Sequence, residues 1–304
     1  MNATYAETID KIEALKGTRE AIVLAHNYQR PEVQDVADYT GDSLELSRIA
    51  AKTDAKTIVF CGVQFMAETA AMLSPEKTVL LPVQEAGCPL ADMATAEQLR
   101  RAREEHPRAA IISYVNSTAA VKAESDVCCT SANAVQVANS VEADEIVFVP
   151  DRNLGQHVAR HSDKEILLWP GWCPTHVTLY AIDVLQRRRE HPDASFMAHP
   201  ECLPEILALA DEIASTSGML AYARQAQAER FIVGTEMGLI HRLQQENPGR
   251  EFYAATEYLI CPTMKMTTLA SVQRALEEME YVVAVPERIR AKARTALDAM
   301  LAVG

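Results

Sequence analysis

The chain has 304 residues, of which 48% are hydrophobic, and it carries a formal net charge of −13. No stretch approaches the roughly 18 consecutive apolar residues of a membrane-spanning helix, and the first residues lack the basic and apolar regions of a signal peptide. The negative charge disfavours nucleic acid and anionic membranes as partners, because both attract cationic surfaces. Since membrane-span and signal-peptide patterns are also missing, we expect a cytoplasmic protein of ordinary enzyme size.

Short apolar runs of strand length follow one another along the chain and alternate with longer segments rich in Ala, Leu, Glu and Arg. The runs contain many β-branched and aromatic residues, which favour strands, and the periodic segments between them favour helices. In chain order the predicted strands include residues 21–24, 58–60, 79–81, 111–112, 145–148 and 231–233. This alternation predicts parallel sheets covered by helices, and such sheets bind ligands beyond the carboxyl ends of their strands.

Three Cys-Pro dipeptides divide the chain almost evenly: Cys88-Pro89, Cys173-Pro174 and Cys261-Pro262, which are 85 and 88 residues apart. The apolar run 58–60 aligns with 146–148 after a shift of 88 residues and then with 231–233 after a shift of 85. Such self-similarity indicates one βα module used three times. We therefore predict an α/β fold of three pseudo-threefold-related domains, each a small parallel sheet with flanking helices, around a central site. The predicted domains are residues 1–89 with the C-terminal helices of 268–304, residues 90–174, and residues 175–267.

Polar residues recur in the same register at the ends of the apolar runs, again after shifts of 88 and then 85 residues. The three columns are His26, Tyr114 and His199; Tyr28, Asn116 and Glu201; and Ser43, Ser131 and Thr216. Each hydroxyl of the last column is predicted to open a helix, where free backbone N–H groups suit a carboxylate or phosphate. Because equivalent loops can converge on one axis, the columns predict a single central site.

The chain has seven cysteines and no export signal, so metal ligands or free thiols are favoured over a disulfide framework. Cys88, Cys173 and Cys261 form a column of the repeat. The other four cysteines lie in no column, and we expect them to pack as small apolar residues in or near the core. They are Cys61, Cys128, Cys129 and Cys202.

Longer motifs surround these columns in all three modules. They are His26-Asn27-Tyr28-Gln29, Gly41-Asp42-Ser43-Leu44-Glu45-Leu46-Ser47, Tyr114-Val115-Asn116-Ser117, Thr130-Ser131-Ala132-Asn133-Ala134, Ala198-His199-Pro200-Glu201-Cys202, Ser215-Thr216-Ser217-Gly218-Met219 and Cys261-Pro262-Thr263-Met264-Lys265-Met266. In this order, over the whole chain, the set closely resembles the quinolinate synthase family.

The resemblance implies three pseudo-symmetric α/β domains around one 4Fe-4S cluster per chain, with Cys88, Cys173 and Cys261 as its ligands. It also implies the condensation of iminosuccinate with dihydroxyacetone phosphate to quinolinate in NAD biosynthesis. Functional coupling to L-aspartate oxidase, which would supply the unstable iminosuccinate, is a further expectation. The pattern assigns no role to His176, because the residue after it is Val177 where family members often have an acidic one.

The reaction implied by the resemblance needs proton transfers and a means of holding two carboxylates and a phosphate. Three thiolates would leave one iron of the cluster without a protein ligand, free to act as a Lewis acid in dehydration. We assign proton transfer to Glu201 and Tyr28, with His199 as a further shuttle or carboxylate anchor. The predicted substrate-binding residues are His26, Ser43, Tyr114, Asn116, Ser131, His199, Glu201 and Thr216.

Two alternatives belong to other classes. A hydrolase or lyase with a Cys-ligated Zn²⁺ and one open position would also use three cysteines beside acid/base residues. A non-catalytic repeat scaffold would explain the repeat itself, although the recurring residues here are reactive side chains at strand ends.

Overall fold

A computed structural model describes residues 3–303 and contains three parallel sheets of four strands each. In every sheet the second strand along the chain lies at one edge, followed by the first, the third and the fourth. The predicted α/β fold of three repeated parallel-sheet modules is therefore confirmed.

The first sheet has the order β2-β1-β3-β4, and all three of its strand pairings are parallel. Its elements are α1 (Ala3–Thr18), β1 (Ala21–His26), α2 (Pro31–Asp35), β2 (Tyr39–Gly41), α3 (Ser43–Lys52), β3 (Thr57–Cys61), α4 (Gln64–Leu73) and β4 (Thr78–Leu80). The central strands β1 and β3 are buried almost throughout, which is why they read as continuous apolar runs without alternation.

The second sheet repeats this order as β6-β5-β7-β8. Its elements are α5 (Ala96–Glu105), β5 (Ala110–Tyr114), α6 (Ala119–Lys122), β6 (Val127–Cys129), α7 (Ala134–Ser140), β7 (Glu145–Val149), α8 (Arg152–Ala159) and β8 (Glu165–Leu168). Parallel strands need crossover connections, and the helices between the strands supply them.

The third sheet has the order β10-β9-β11-β12. Its elements are α9 (Ala181–Glu190), β9 (Ser195–Ala198), α10 (Pro204–Leu207), β10 (Glu212–Ile213), α11 (Thr216–Gln225), β11 (Arg230–Gly234), α12 (Leu239–Glu246) and β12 (Glu251–Ala254). The chain ends with α13 (Leu269–Glu278) and α14 (Glu287–Ala302).

The two last helices return to the first half of the chain. Helix α13 packs against α1 and β3, whereas α14 packs against α4 of the first module and against α6 and β6 of the second. The proposed division into three domains with the boundaries given above stays a prediction. Within residues 3–303, no helix is long and apolar enough to cross a membrane.

The predicted helix starts of the hydroxyl column are correct for two of three. Ser43 and Thr216 are the first residues of α3 and α11, and the side chains that cap these helices belong to the preceding Asp42 and Ser215. The prediction is wrong for Ser131, which lies in a turn three residues before α7 begins. In that turn the Asn133 side chain accepts a hydrogen bond from the backbone N–H of Thr130.

Candidate active site between the three modules

The three column cysteines occupy equivalent loops at the same end of their sheets. Each follows the fourth strand of its module, and each is followed three residues later by a short 3₁₀ turn, at Ala91–Met93, His176–Thr178 and Met264–Met266. Cys88, Cys173 and Cys261 are partly exposed, and all three line one cavity of about 230 Å³. The other four cysteines are free thiols buried in the core, as predicted.

Every side chain predicted for the site lies around this cavity. The cysteines are joined there by His26, Tyr28, Ser43, Tyr114, Asn116, Ser131, His199, Glu201 and Thr216. The carboxyl ends of β1, β5 and β9 place the first two columns, because each strand ends at or just before them. The structure thus brings the three columns together, while the roles of their members stay a prediction.

The first and third modules hold their histidines in the same way. The backbone N–H of Tyr28 donates to His26 Nδ1 over 3.2 Å, and the backbone N–H of Glu201 donates to His199 Nδ1 over 3.3 Å. Because Nδ1 accepts in both rings, a neutral ring carries its proton on Nε2. Burial lowers the pKa of both His26 and His199 to about 3, so both are neutral near pH 7. They therefore act as hydrogen-bond donors without adding charge.

Glu201 lies at the centre of the polar network and is 2% exposed. Its Oε2 is 2.7 Å from His176 Nδ1 and 3.6 Å from His199 Nδ1, while Asn116 Nδ2 is 3.4 Å from its Oε1. Burial raises the pKa of Glu201, but its electrostatic interaction with His176 and hydrogen bonds from His176 and Tyr114 outweigh this effect. The pKa is therefore held below its usual value, and Glu201 is an ionised carboxylate.

His176, to which the sequence assigned no role, lies directly against Glu201. It is 1% exposed, and its ring stacks on His199 with a centroid distance of 4.7 Å. Its Nδ1 lies 3.2 Å from Cys173 Sγ, and its Nε2 lies 2.8 Å from Thr235 Oγ1. His176 thus joins a predicted metal ligand to the predicted proton acceptor.

Thr235 was also missed by the sequence analysis. Its hydroxyl is 2.6 Å from the Tyr28 hydroxyl, so a continuous hydrogen-bonded path runs from Tyr28 through Thr235 to His176 and Glu201. Burial raises the pKa of Tyr28 well above its usual value, and the phenol stays protonated as a donor. The one available sequence signal was the position of Thr235, directly after the strand β11.

Two of the three column hydroxyls are oriented by side chains of another module. Ser131 Oγ lies 3.2 Å from His199 Nε2. Thr216 Oγ1 accepts a hydrogen bond of 2.7 Å from Asn27 Nδ2, and Asn27 Oδ1 accepts in turn from Arg242 Nη1 over 2.9 Å. Because the Thr216 oxygen already accepts from Asn27, its own proton is free to be donated into the cavity.

The donor set suits a metal centre. Cys173, His176 and Glu201 bring ligand atoms within 4.8 Å of one another, which is close enough to share a metal ion. Burial raises the pKa of the Cys88 thiol to about 12 and that of Cys173 well above its usual value. Charge repulsion adds to this effect, since Cys261 raises the pKa of Cys88 and Cys88 raises the pKa of Cys173. A bound cationic centre would offset the cost of gathering three thiolates there.

Comparison with known proteins identifies relatives over nearly the full chain. The family model described as quinolinate synthetase A protein matches residues 10–302. The chain is 54% identical over 298 residues to quinolinate synthase 1 of Methanosarcina acetivorans, covering 98% of both chains. It is 56% identical over 299 residues to the quinolinate synthase of Geobacter metallireducens, again covering 98% of both. The quinolinate synthase of Thermodesulfovibrio yellowstonii is 55% identical over 295 residues, covering 97% of both.

Proposed function

Because the chain belongs to the quinolinate synthetase A protein family, we propose that it condenses iminosuccinate with dihydroxyacetone phosphate to give quinolinate. The reaction releases phosphate and water and would serve NAD biosynthesis. The observation that carries the proposal is the convergence of three cysteines, one from each module, on a cavity that also contains Glu201 and the hydroxyl column.

We propose that Cys88, Cys173 and Cys261 hold one 4Fe-4S cluster. Their support is threefold: equivalent positions in the repeat, partial exposure to one cavity, and the absence of disulfides among the seven cysteines. When bound, a cluster with three thiolate ligands supplies a Lewis acid at the iron that has no protein ligand. The residues that face it must then bind the substrates and move protons.

Proton transfer is assigned to the path that begins at Glu201. The ionised carboxylate can take a proton from substrate carbon or nitrogen, and His176 at 2.7 Å can share that proton. Tyr28 remains protonated and can donate toward a departing oxygen, after which Thr235 links it back to His176. The path therefore contains both an acid and a base within one cavity.

Substrate anions would be bound by neutral donors. His26 and His199 present Nε2–H groups, Tyr114 and Tyr28 present phenols, and Thr216 presents a hydroxyl proton. Helices α3 and α11 begin at the cavity, where their dipoles favour negative charge. These local donors would allow anionic substrates to bind although the chain has a net charge of −13.

A mononuclear zinc enzyme is the second candidate, and one observation favours it. Cys173, His176 and Glu201 could hold a single ion with an open fourth position, as catalytic zinc sites do. That site would leave Cys88 and Cys261 without a function, although both line the same cavity. A non-catalytic scaffold is disfavoured because the repeated residues surround an internal cavity instead of forming an open face.

Metal analysis coupled to product formation tests the proposal. Protein purified without oxygen should contain iron and acid-labile sulfide and form quinolinate when iminosuccinate is generated in the assay by L-aspartate oxidase. A colourless preparation that contains zinc, with no quinolinate formed, would replace the cluster enzyme with the zinc enzyme. Addition of purified oxidase in excess also separates simple supply of substrate from physical coupling of the two proteins.

A further inference from the structure

One backbone hydrogen bond recurs in all three modules between the cysteine loop and a residue at the start of the helix that follows the third strand or, in the third module, two residues before it. The acceptor is always the carbonyl of the residue two positions before the cysteine. The bonds run from Gln64 N to Ala86 O (2.8 Å), from Arg152 N to Gly171 O (2.9 Å) and from Met237 N to Leu259 O (2.9 Å). The loops that carry the cysteines are therefore docked on their sheets in the same way.

The second and third modules add a carboxylate to this contact. The backbone N–H of Cys173 donates to Asp151 Oδ2 over 3.0 Å, and the backbone N–H of Cys261 donates to Glu236 Oε1 over 3.1 Å. Both carboxylates are fully buried and are 85 residues apart, in one column of the repeat. The first module has Val63 in this column, and a valine side chain cannot accept a hydrogen bond.

Each carboxylate is itself held by further hydrogen bonds or ion pairs. Asp151 Oδ1 accepts from the backbone N–H groups of Asn153 and Leu154, at 2.9 and 2.8 Å, and so caps α8. Glu236 accepts from the backbone N–H of Gly238 at 2.7 Å and forms a buried ion pair of 2.9 Å with Lys265. A carboxylate anchored in this way holds the cysteine backbone at a defined position.

The loop also approaches its sheet too closely for a side chain at one point. A Cβ atom at Gly171 would lie 2.2 Å from the carbonyl oxygen of Pro150, directly before Asp151. Such a contact is forbidden, so the second module depends on glycine for the docking of the Cys173 loop. The carboxylate contact and the glycine contact therefore serve the same geometry.

We propose that Asp151 and Glu236 are positioning residues that pre-set two of the three cysteine loops for the metal centre, an inference that rests on the proposed cluster. Fixing the cysteine N–H restricts the rotation of the loop and hence the direction in which the thiol side chain points. Ordering the loops before the metal binds lowers the entropic cost of assembly. The Cys88 loop has the backbone contact without the carboxylate, so it is the least constrained of the three.

The test replaces each carboxylate with its amide. Asp151→Asn can present its single oxygen to the helix or to Cys173, but its NH₂ group must then face an N–H donor on the other side. Glu236→Gln has the same defect at Cys261. Gly171→Ala disturbs the Cys173 loop without changing the carboxylate. Thr268→Ala is the control, since it removes the cap of α13, a helix that packs against α1 and β3.

Two measurements on protein purified without oxygen report on the loops. Hydrogen exchange, read by mass spectrometry, should accelerate about tenfold or more at Cys173 in Asp151→Asn and Gly171→Ala, and at Cys261 in Glu236→Gln. The other two cysteine loops should exchange as in the unmodified protein. Release of iron to a chelator should also be faster in these three variants and unchanged in Thr268→Ala.

Unchanged exchange at Cys173 and Cys261, or equal acceleration in all three loops, would overturn the positioning role of the two carboxylates. If unmodified protein contains neither iron nor sulfide, the proposed function fails. That failure is recognised in the unmodified protein alone, so the two failures are distinguishable.

Discussion

Replacing Glu201 with glutamine tests the acid/base assignment most directly. The substitution keeps the length of the side chain and one oxygen that can accept from His176 or Tyr114, but it removes the negative charge that accepts a proton. General acid/base catalysis contributes about 10²- to 10⁴-fold to rate, so we expect turnover to fall by about 100-fold or more. A 100-fold loss corresponds to about 2.7 kcal/mol of barrier height. The cluster content should not change.

The structure also predicts how the folded state responds. The substitution replaces a charge-assisted hydrogen bond of 2.7 Å between His176 and Glu201 with a neutral one. Hydrogen bonds to charged groups contribute about 1.5–3 kcal/mol, and a neutral one retains part of this, so we expect about 1 kcal/mol of destabilisation. That cost is too small to unfold a domain of ordinary stability, so loss of turnover would not reflect loss of fold.

A matched control exists outside the cavity. His106 Nδ1 and Glu145 Oε1 are also 2.7 Å apart, in a partly exposed pair between α5 and β7. Glu145→Gln should therefore lose a similar contact and keep full turnover. Both variants are compared in an anaerobic quinolinate assay with iron and sulfide measured on the same samples. Near-normal turnover in Glu201→Gln, with an intact cluster, would show that Glu201 is only a structural partner.

Two further predictions concern the cysteines and pH. Cys88→Ala, Cys173→Ala and Cys261→Ala should each abolish cluster assembly and activity, whereas Cys128→Ala should retain both; full iron content in any of the first three would contradict the ligand assignment. Burial lowers the pKa of His26 and His199 in the fold to about 3, whereas the pKa in the unfolded chain is about 6.5. The stability that depends on these neutral rings is therefore complete above a pH of about 6.5 and is lost as the pH falls below it. Together they should lower the free energy of unfolding by about 2.5 kcal/mol between pH 7 and pH 5.5, measured by urea denaturation; a flat pH dependence would mean that they are not buried as neutral rings.

The parts of the site that recur were predictable from the sequence. His26 and His199 occupy equivalent positions, and the same backbone bond to Nδ1 holds both rings, so alignment of the modules was enough to find them. His176 was missed because no histidine recurs at its position: the equivalent turns of the other two modules begin with Ala91 and Met264. Asn27 was missed for a related reason: it acts on Thr216, which is 189 residues away along the chain. Local patterns carry no information about such contacts until the modules are packed.

The strands predicted from the sequence did not include the short edge strand β2. The edge strand β2 has three residues, Tyr39–Gly41, and pairs on one side only. Its exposed tyrosine and terminal glycine give neither an apolar run nor a regular alternation. The buried central strands β3, β7 and β11 were recognised because both of their faces are covered, which selects continuous β-branched and aromatic residues.

The contacts that shape the cavity are largely contacts between modules. Asn27 of the first module orients Thr216 of the third, and His199 of the third contacts Ser131 of the second. The carboxylate of Glu201, also in the third, lies against Asn116 of the second. A single module therefore supplies one of the three cysteines that line the cavity and part of its polar groups, whereas the packed chain joins these groups into a continuous hydrogen-bonded path. Because the arrangement depends on contacts between modules, the proposed chemistry is a property of the assembled chain. The repeat supplies equivalent positions, and residues that occur in one module only, such as His176, then make these positions different.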